Sequence, residues 1–189
     1  ENMSDIATIM KDGETKMNKC VDVAKDDFAS IRTGRANPAL FNKIMVDYYG
    51  AMTPLSQLAT VQVPEARMAL ISPFDKGAMA SIEKAIRESD LGVNPGNDGV
   101  VVRVTFPQLT EERRKEYIKM AKTKGEDAKV AIRNVRRAVK EALEKLEKDG
   151  AISKDDLSRS EKDLEKITGD HTSKIDDLLK HKEAELLEV

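Results

Sequence analysis

The chain has 189 residues, enough for one domain or two small ones. With 35% charged residues, 4% aromatics and no Trp, it suits long surface-rich helices better than a large globular core. A net charge of −2 excludes bulk attraction of the whole protein to nucleic acid, and the single Cys20 excludes an intrachain disulfide, which fits a reducing compartment. No apolar run approaches the roughly 20 residues of a membrane span. No signal-peptide pattern opens the sequence, so a cytoplasmic protein without membrane association is expected.

In chain order, Ile6, Ile9, Gly13, Met17, Cys20, Ala24, Phe28 and Ile31 recur at steps of three and four, which predicts a long helix. Thr33-Gly34 ends it, and Asn37-Pro38 keeps the following residues extended. From about Leu40 to Phe106, Val, Pro and Gly become frequent and the spacing turns to alternation. Residues 44–49, 60–63, 68–71 and 100–106 read as strands, separated by Gly50, Pro54, Pro64 and Ser72-Pro73. One helix lies among them, with Asp75 as its cap and Met79, Ile82, Ala85 and Ile86 as its apolar face. Residues 90–99 read as a turn-rich loop.

Pro107 closes this block, and Thr110 caps a second long helix with Glu111 and Glu112 in its first turn. Its seam runs through Ala121, Ala128, Ile132, Val135, Val139, Ala142 and Leu146, and Gly150 breaks it. Ser153, followed by Asp155 and Asp156, starts a third helix with Leu157, Leu164, Ile167, His171, Ile175, Leu178 and Leu186 as its apolar face. Such helices are unstable alone but bury each other's seams as a bundle. The expected fold is therefore α+β: a three-helix bundle of residues 1–33 and 107–189, with a small β/α/β domain of residues 34–106 inserted between its first two helices. The chain crosses between the two near 33–37 and 105–108, and Thr33, Gly34, Arg35 and Pro107 are the expected hinge residues.

Catalysis finds little support. His171 falls on the apolar seam and His181 near the polar side. No HExxH, CxxC, nucleophile elbow or phosphate loop is present, and no metal or cofactor is expected. Cys20 lies on an apolar stripe and reads as core.

Binding is better supported. Taking about 100° per residue, Lys129, Arg133, Arg136, Arg137 and Lys140 fall in a sector of the second long helix separate from its seam. No acid interrupts that row between Lys129 and Lys140, and three of the five cations are Arg, whose forked donors suit phosphate. Residues 110–148 carry 13 basic and 8 acidic side chains, whereas residues 149–189 carry 7 and 12. The row is thus a candidate RNA-binding edge. A solvated helix face in a coiled-coil-type interaction or chaperone module is the competing reading. Arg32 and Arg35 flank the end of the first helix, where they suit either RNA contact or dipole compensation. Arg113 and Arg114 are ambiguous: with Glu111, Glu112 and Glu116 beside them, they suit either RNA contact or local ion pairs alone. Of Tyr48 and Tyr49, strand alternation buries one.

The motifs Ile31-Arg-Thr-Gly-Arg-Ala-Asn-Pro38, Asp47-Tyr-Tyr-Gly50, Asp90-Leu-Gly-Val-Asn-Pro95, Leu109-Thr-Glu-Glu-Arg-Arg-Lys115, Arg133-Asn-Val-Arg-Arg137 and His181-Lys-Glu-Ala-Glu-Leu186 resemble, in order and over almost the whole chain, those of the ribosome recycling factors. The resemblance implies a non-enzymatic, monomeric translation factor, L-shaped like transfer RNA. Its bundle lies on the large ribosomal subunit and contacts 23S-type ribosomal RNA. It also implies that elongation factor G, with GTP, pushes on the inserted domain to split the post-termination ribosome, releasing messenger and deacylated transfer RNA. Carried onto this sequence, it makes Arg133, Arg136 and Arg137 the leading RNA contacts, with Lys129 and Lys140 beside them, and Arg32 and Arg35 hinge-proximal.

Overall fold

The computed structural model of the chain describes the backbone of residues 2–188 and the side chains of residues 5–188. Residues 1 and 189, counted above as part of the bundle, lie outside the described residues. Three long helices dominate: α1 (Asn2–Ala29), α3 (Glu111–Lys148) and α4 (Lys154–Leu187), with a short α2 (Met79–Arg87) among the strands. The chain forms two compact units. One comprises the residues up to Phe28 together with Ala121–Lys182, and the other Ala29–Met120 together with the segment from Glu183.

The first unit is the helical one. Its buried strip contains Met17, Val21, Ala24 and Phe28 of α1, Ala121, Ile132, Val139 and Leu143 of α3, and Leu164, His171 and Ile175 of α4. A Cβ placed on Gly13 would meet a methyl of Val139 at 2.5 Å, and one on Gly125 would meet Leu179 at 3.3 Å and Phe28 at 3.8 Å. Asn18 reaches His171. Each helix therefore touches the other two. Residue numbers rise along α1 as they fall along α3, so these helices are antiparallel.

The helix ends are built from local chemistry. Thr110 Oγ1 accepts from the Arg113 backbone N–H at 3.1 Å, the cap anticipated for α3. At the other end Gly150 takes φ +74°, and Ala151 N–H donates to the Leu146 carbonyl at 2.8 Å, closing a left-handed cap. Ser153 Oγ accepts from Asp156 N–H at 3.0 Å while Asp156 accepts from Ser153 N–H at 3.3 Å, a reciprocal capping box for α4. The Ser153 N–H bond to its carboxylate, which contributes most, favours the ionised Asp156 and holds its pKa below the usual carboxylate value.

The second unit has a four-stranded antiparallel sheet in the order β3 (Ala59–Glu65), β4 (Met68–Pro73), β6 (Val102–Thr105), β5 (Pro95–Asn97). A separate hairpin pairs β1 (Met45–Tyr48) with β2 (Ala51–Pro54). Alternation places Ala69 and Ile71 of β4, Val102 and Val104 of β6 and Val46 of β1 in the core, where α2 contributes Met79, Ile82 and Ile86. Phe41 and Phe106 meet edge to face at 6.1 Å. β2 and β5 differ from the sequence expectation, which placed breaks at Gly50 and Pro54 and a loop at 90–99. Both are short strands fixed by a neighbour's pairing, not by a periodic pattern of their own. The helix predicted from Asp75 begins one turn later than its cap. Asp75 caps a 3-10 turn at Lys76–Ala78, accepting from Gly77 N–H at 2.8 Å, and α2 follows.

The close approach at Gly13 yields a test of the seam. Gly13→Ala is expected to destabilise the protein, because overpacking against Val139 (about 1–3 kcal/mol) outweighs the ~1 kcal/mol that Ala gains in helix propensity. The same change should cost about 1 kcal/mol less in a Val139→Ala background, as read by urea unfolding. Strictly additive effects would show that the two residues do not touch.

Candidate RNA-binding face

Five cations on α3 form the row singled out in the sequence, and the structure sorts them by partner. Lys129 is 22% exposed and pairs with Asp176 of α4 and, at 3.8 Å, with Glu126. Arg136 is 33% exposed; its Nη2 lies 2.6 Å and its Nε 2.7 Å from the same oxygen of Glu165 on α4. Arg133 is 51% exposed and sits loosely beside Glu126 at 3.9 Å. Arg137 is exposed and Lys140 half-buried, and among the described residues neither forms an ion pair. Lys140 overlooks a shallow groove lined by Ser158, Glu161 and Glu165. The uninterrupted basic row of the sequence is thus interrupted in space, by acids that α4 brings to it. Sequence spacing along α3 carries no signal of those acids; only the antiparallel packing of α4 does.

Behind the row lies the seam, with Ala128, Ile132 and Val139 buried. The rigid side of α3 therefore fixes the helix rotation, and the cations cannot turn inward without exposing that strip. His171 is buried with both ring nitrogens 2.7 Å from partners, the Ile167 carbonyl and the Asn18 side chain, so it is a satisfied seam residue. His181 is exposed. Cys20 is half-buried, and burial raises its thiol pKa, the opposite of a reactive thiolate. Among the described residues, no cluster of three His, Cys, Asp or Glu side chains is placed to hold a metal ion, and no helix is long and apolar enough to cross a membrane.

Arg32 lies in the other unit and behaves differently from the row. It is only 4% exposed. Its Nη1 donates to the Leu91 carbonyl at 3.2 Å and its Nη2 to the Pro107 carbonyl. The guanidinium also sits 5.4 Å from the centre of the Phe106 ring. Burial lowers its pKa from the ordinary value, with the positive Arg113 and Arg67 acting in the same direction and Tyr117 opposing them. Grouping Arg32 with the RNA contacts therefore needs correction on physical grounds: a buried side chain committed to two carbonyls cannot offer its fork to a phosphate. It ties the segment after α1 to Pro107 instead.

Its neighbours complete that arrangement. Arg113 Nη1 donates to the Tyr117 hydroxyl at 3.2 Å, which donates to the Asp90 carbonyl at 3.0 Å. The local ion pairing open to Arg113 gives way to this chain of bonds. Tyr117, buried here, carries no signal of that role in the sequence. Thr33, Gly34 and Arg35 line an open pocket with Asn37, Arg67 and Arg114. Of the tyrosine pair, Tyr48 is half-buried and Tyr49 is 76% exposed at φ +51°. Both hydroxyls donate to the same oxygen of Asp75, at 2.9 and 3.2 Å. The Gly77 N–H, which contributes most, and the two hydroxyls lower the Asp75 pKa, and the bonds to Asp75 raise those of both tyrosines.

Fold and face together define a class: a two-unit α+β protein whose long-helix bundle presents cations fixed by its own core. Comparison with known proteins narrows this class. The family model described as ribosome recycling factor matches residues 24–187. The chain is 62% identical over 184 residues to a ribosome-recycling factor of Streptomyces avermitilis, covering 97% of this chain and all of that one. It is 64% identical over 178 residues to that of Kineococcus radiotolerans, covering 94% and 96%. A solution structure of a ribosome recycling factor, 42% identical, superposes with a TM-score of 0.73 over 97% of this chain and 98% of that one. A further structure, also 42% identical with a TM-score of 0.67 over 97% and 99% of the two chains, describes the T. thermophilus ribosome recycling factor with E. coli elongation factor G bound to the E. coli post-termination complex. The chain belongs to the ribosome recycling factor family.

Removing the buried fork separates its two possible roles. Arg32→Gln is expected to lower the stability of the strand-containing unit by about 2–4 kcal/mol, through stranded carbonyls, while ribosome binding by the folded fraction stays intact. Thermal unfolding and co-sedimentation with large subunits check this. Unchanged stability with abolished binding would return Arg32 to the RNA face.

Proposed function

We propose that this chain recycles ribosomes by binding and leverage, without chemistry of its own. It docks on the large subunit through 23S-type ribosomal RNA. Elongation factor G with GTP then disassembles the post-termination complex into subunits, and messenger and deacylated transfer RNA leave. The protein works in the cytoplasm as a monomer. The observation that carries the docking step is the α3 row, where Arg133, Arg137 and Lys140 stand accessible on a helix whose rotation is fixed by buried Ile132 and Val139. Arg136 and Lys129 sit beside them and join on docking. The family resemblance supports the remaining steps.

Neutralising the row is the direct test. Arg133→Gln, Arg136→Gln and Arg137→Gln together should weaken binding to large subunits while helical content is kept. The slope of log affinity against log salt should shrink by roughly 0.7–0.9 for each phosphate no longer neutralised. A folded triple variant with unchanged affinity and slope would remove ribosomal RNA as the partner of this face, and absence of any saturable binding even by the wild type would favour a coiled-coil-type module.

For the lever, we propose the segments 33–37 and 105–108 as the hinge, with Thr33, Gly34, Arg35 and Pro107 as its residues. Residues 33–37 and 106–108 are irregular chain, the first following α1 and the second following β6, which supports the choice. A Cβ on Gly34 meets nothing within 4 Å, so Gly34→Ala fits there and narrows the backbone freedom of the first segment. This variant is expected to bind large subunits normally yet split ribosomes more slowly with elongation factor G and GTP, measured by light scattering. Splitting at the wild-type rate would place the hinge elsewhere.

A further inference from the structure

Asp90, Leu91 and Gly92 form a loop of the inserted domain that is gripped from outside it. The loop follows α2, and Leu91 and Val93 are buried in the core of the strand-containing unit. Its carbonyls are taken by residues beyond the domain. Arg32, immediately ahead of segment 33–37, donates to the Leu91 carbonyl at 3.2 Å. Tyr117, on α3 beyond segment 105–108, donates to the Asp90 carbonyl at 3.0 Å and accepts from Arg113 Nη1 at 3.2 Å. Arg113 also lies against the loop. A Cβ on Gly92 would sit 2.9 Å from its Nη2, so glycine, at φ +65°, leaves the guanidinium room.

These contacts bypass both proposed hinge segments. Arg32 precedes one, Arg113 and Tyr117 follow the other, and the loop lies on the chain between them; all belong to the strand-containing unit. The loop cannot follow α3 when the sheet turns, because Leu91 and Val93 anchor it in the sheet's core. Tyr117 stands roughly 9 Å along the helix axis from Glu111, the first residue of α3. With an arm of that length, a turn of about 10° shifts the Asp90 carbonyl by roughly 1.5 Å. Parting by roughly half an ångström already takes a 3.0 Å bond to the edge of hydrogen bonding. Resting on the lever reading above, we infer that Tyr117 and Arg113 form, with Arg32, a clasp that holds the inserted domain at rest against the start of α3 and opens when the domain swings. None of the three touches the ribosome in this role.

The full chain in a Cys20→Ala background, spin-labelled at Gln62→Cys on β3 and Lys119→Cys on α3, tests this through the distance between the labels. Both native side chains are exposed. With the clasp intact, one dominant distance is expected. Tyr117→Phe keeps the buried ring but loses the hydroxyl, and should raise the weight of other distances about 2- to 12-fold, the range for losing one hydrogen bond. Adding Arg113→Met should raise it further. Tyr49→Phe, which removes a hydroxyl bonded to Asp75 inside the inserted domain, should leave the distances unchanged. Circular dichroism checks that each variant is folded. Unchanged distances in the folded Tyr117→Phe and double variants, or equal broadening by Tyr49→Phe, overturn the inference. The distances are read without ribosomes, so failure of the lever reading shows separately, as splitting at the wild-type rate by Gly34→Ala.

Discussion

Everything on the surface of the helical unit depends on one narrow strip of mutual burial. Helices of 28, 38 and 34 residues are held where Gly13 lets α1 approach Val139, where Gly125 admits Leu179, and where Asn18 meets His171. The strip is too thin for much beyond aliphatic and small residues, and the polar groups on it are satisfied at once: Thr168 donates to the Leu164 carbonyl and Ser160 to that of Asp156. With little else buried, the rest of each helix is free to carry charge. The seam thus sets the rotation of α3, and the rotation sets which cations face outward.

Burial also decides what each arginine does. Arg137 is exposed, Arg133 sits loosely beside Glu126 and Arg136 shares its fork with Glu165, while Arg32 is withdrawn altogether beside Phe106. The residue type is constant, while its surroundings make it a free donor, a tethered one or an internal tie. A phosphate competes with water for the first, with a carboxylate for the second and has no access to the third. The docking proposed above fits this sorting, since it needs cations that are oriented but not buried.

The helices were legible in the sequence because steps of three and four are a local property, and Met17, Ala24, Ile132 and Ile175 are buried where that spacing puts them. The caps at Thr110 and Ser153 were legible for the same reason, each needing only residues three positions away. β2 and β5 were not, because three- and four-residue strands owe their conformation to β1 and β6 alongside them. The site divides likewise. The cations of α3 could be read from one helix, but Glu165 lies 29 residues from Arg136, and Asp176 is farther still from Lys129. The role of Arg32 was hidden because its environment comes from Leu91 and Pro107, far along the chain. Neither separation leaves a periodic trace.

Ribosome recycling by this chain, as proposed, requires α3 to be the side of the bundle that faces ribosomal RNA, and proximity is the most direct measure of that. In a Cys20→Ala background, a photo-crosslinker attached at Lys140→Cys is compared with one at Glu14→Cys on α1, each bound to large subunits. Crosslinks to ribosomal RNA are expected from position 140 and few from position 14. RNA crosslinks from position 14 alone would contradict the assignment.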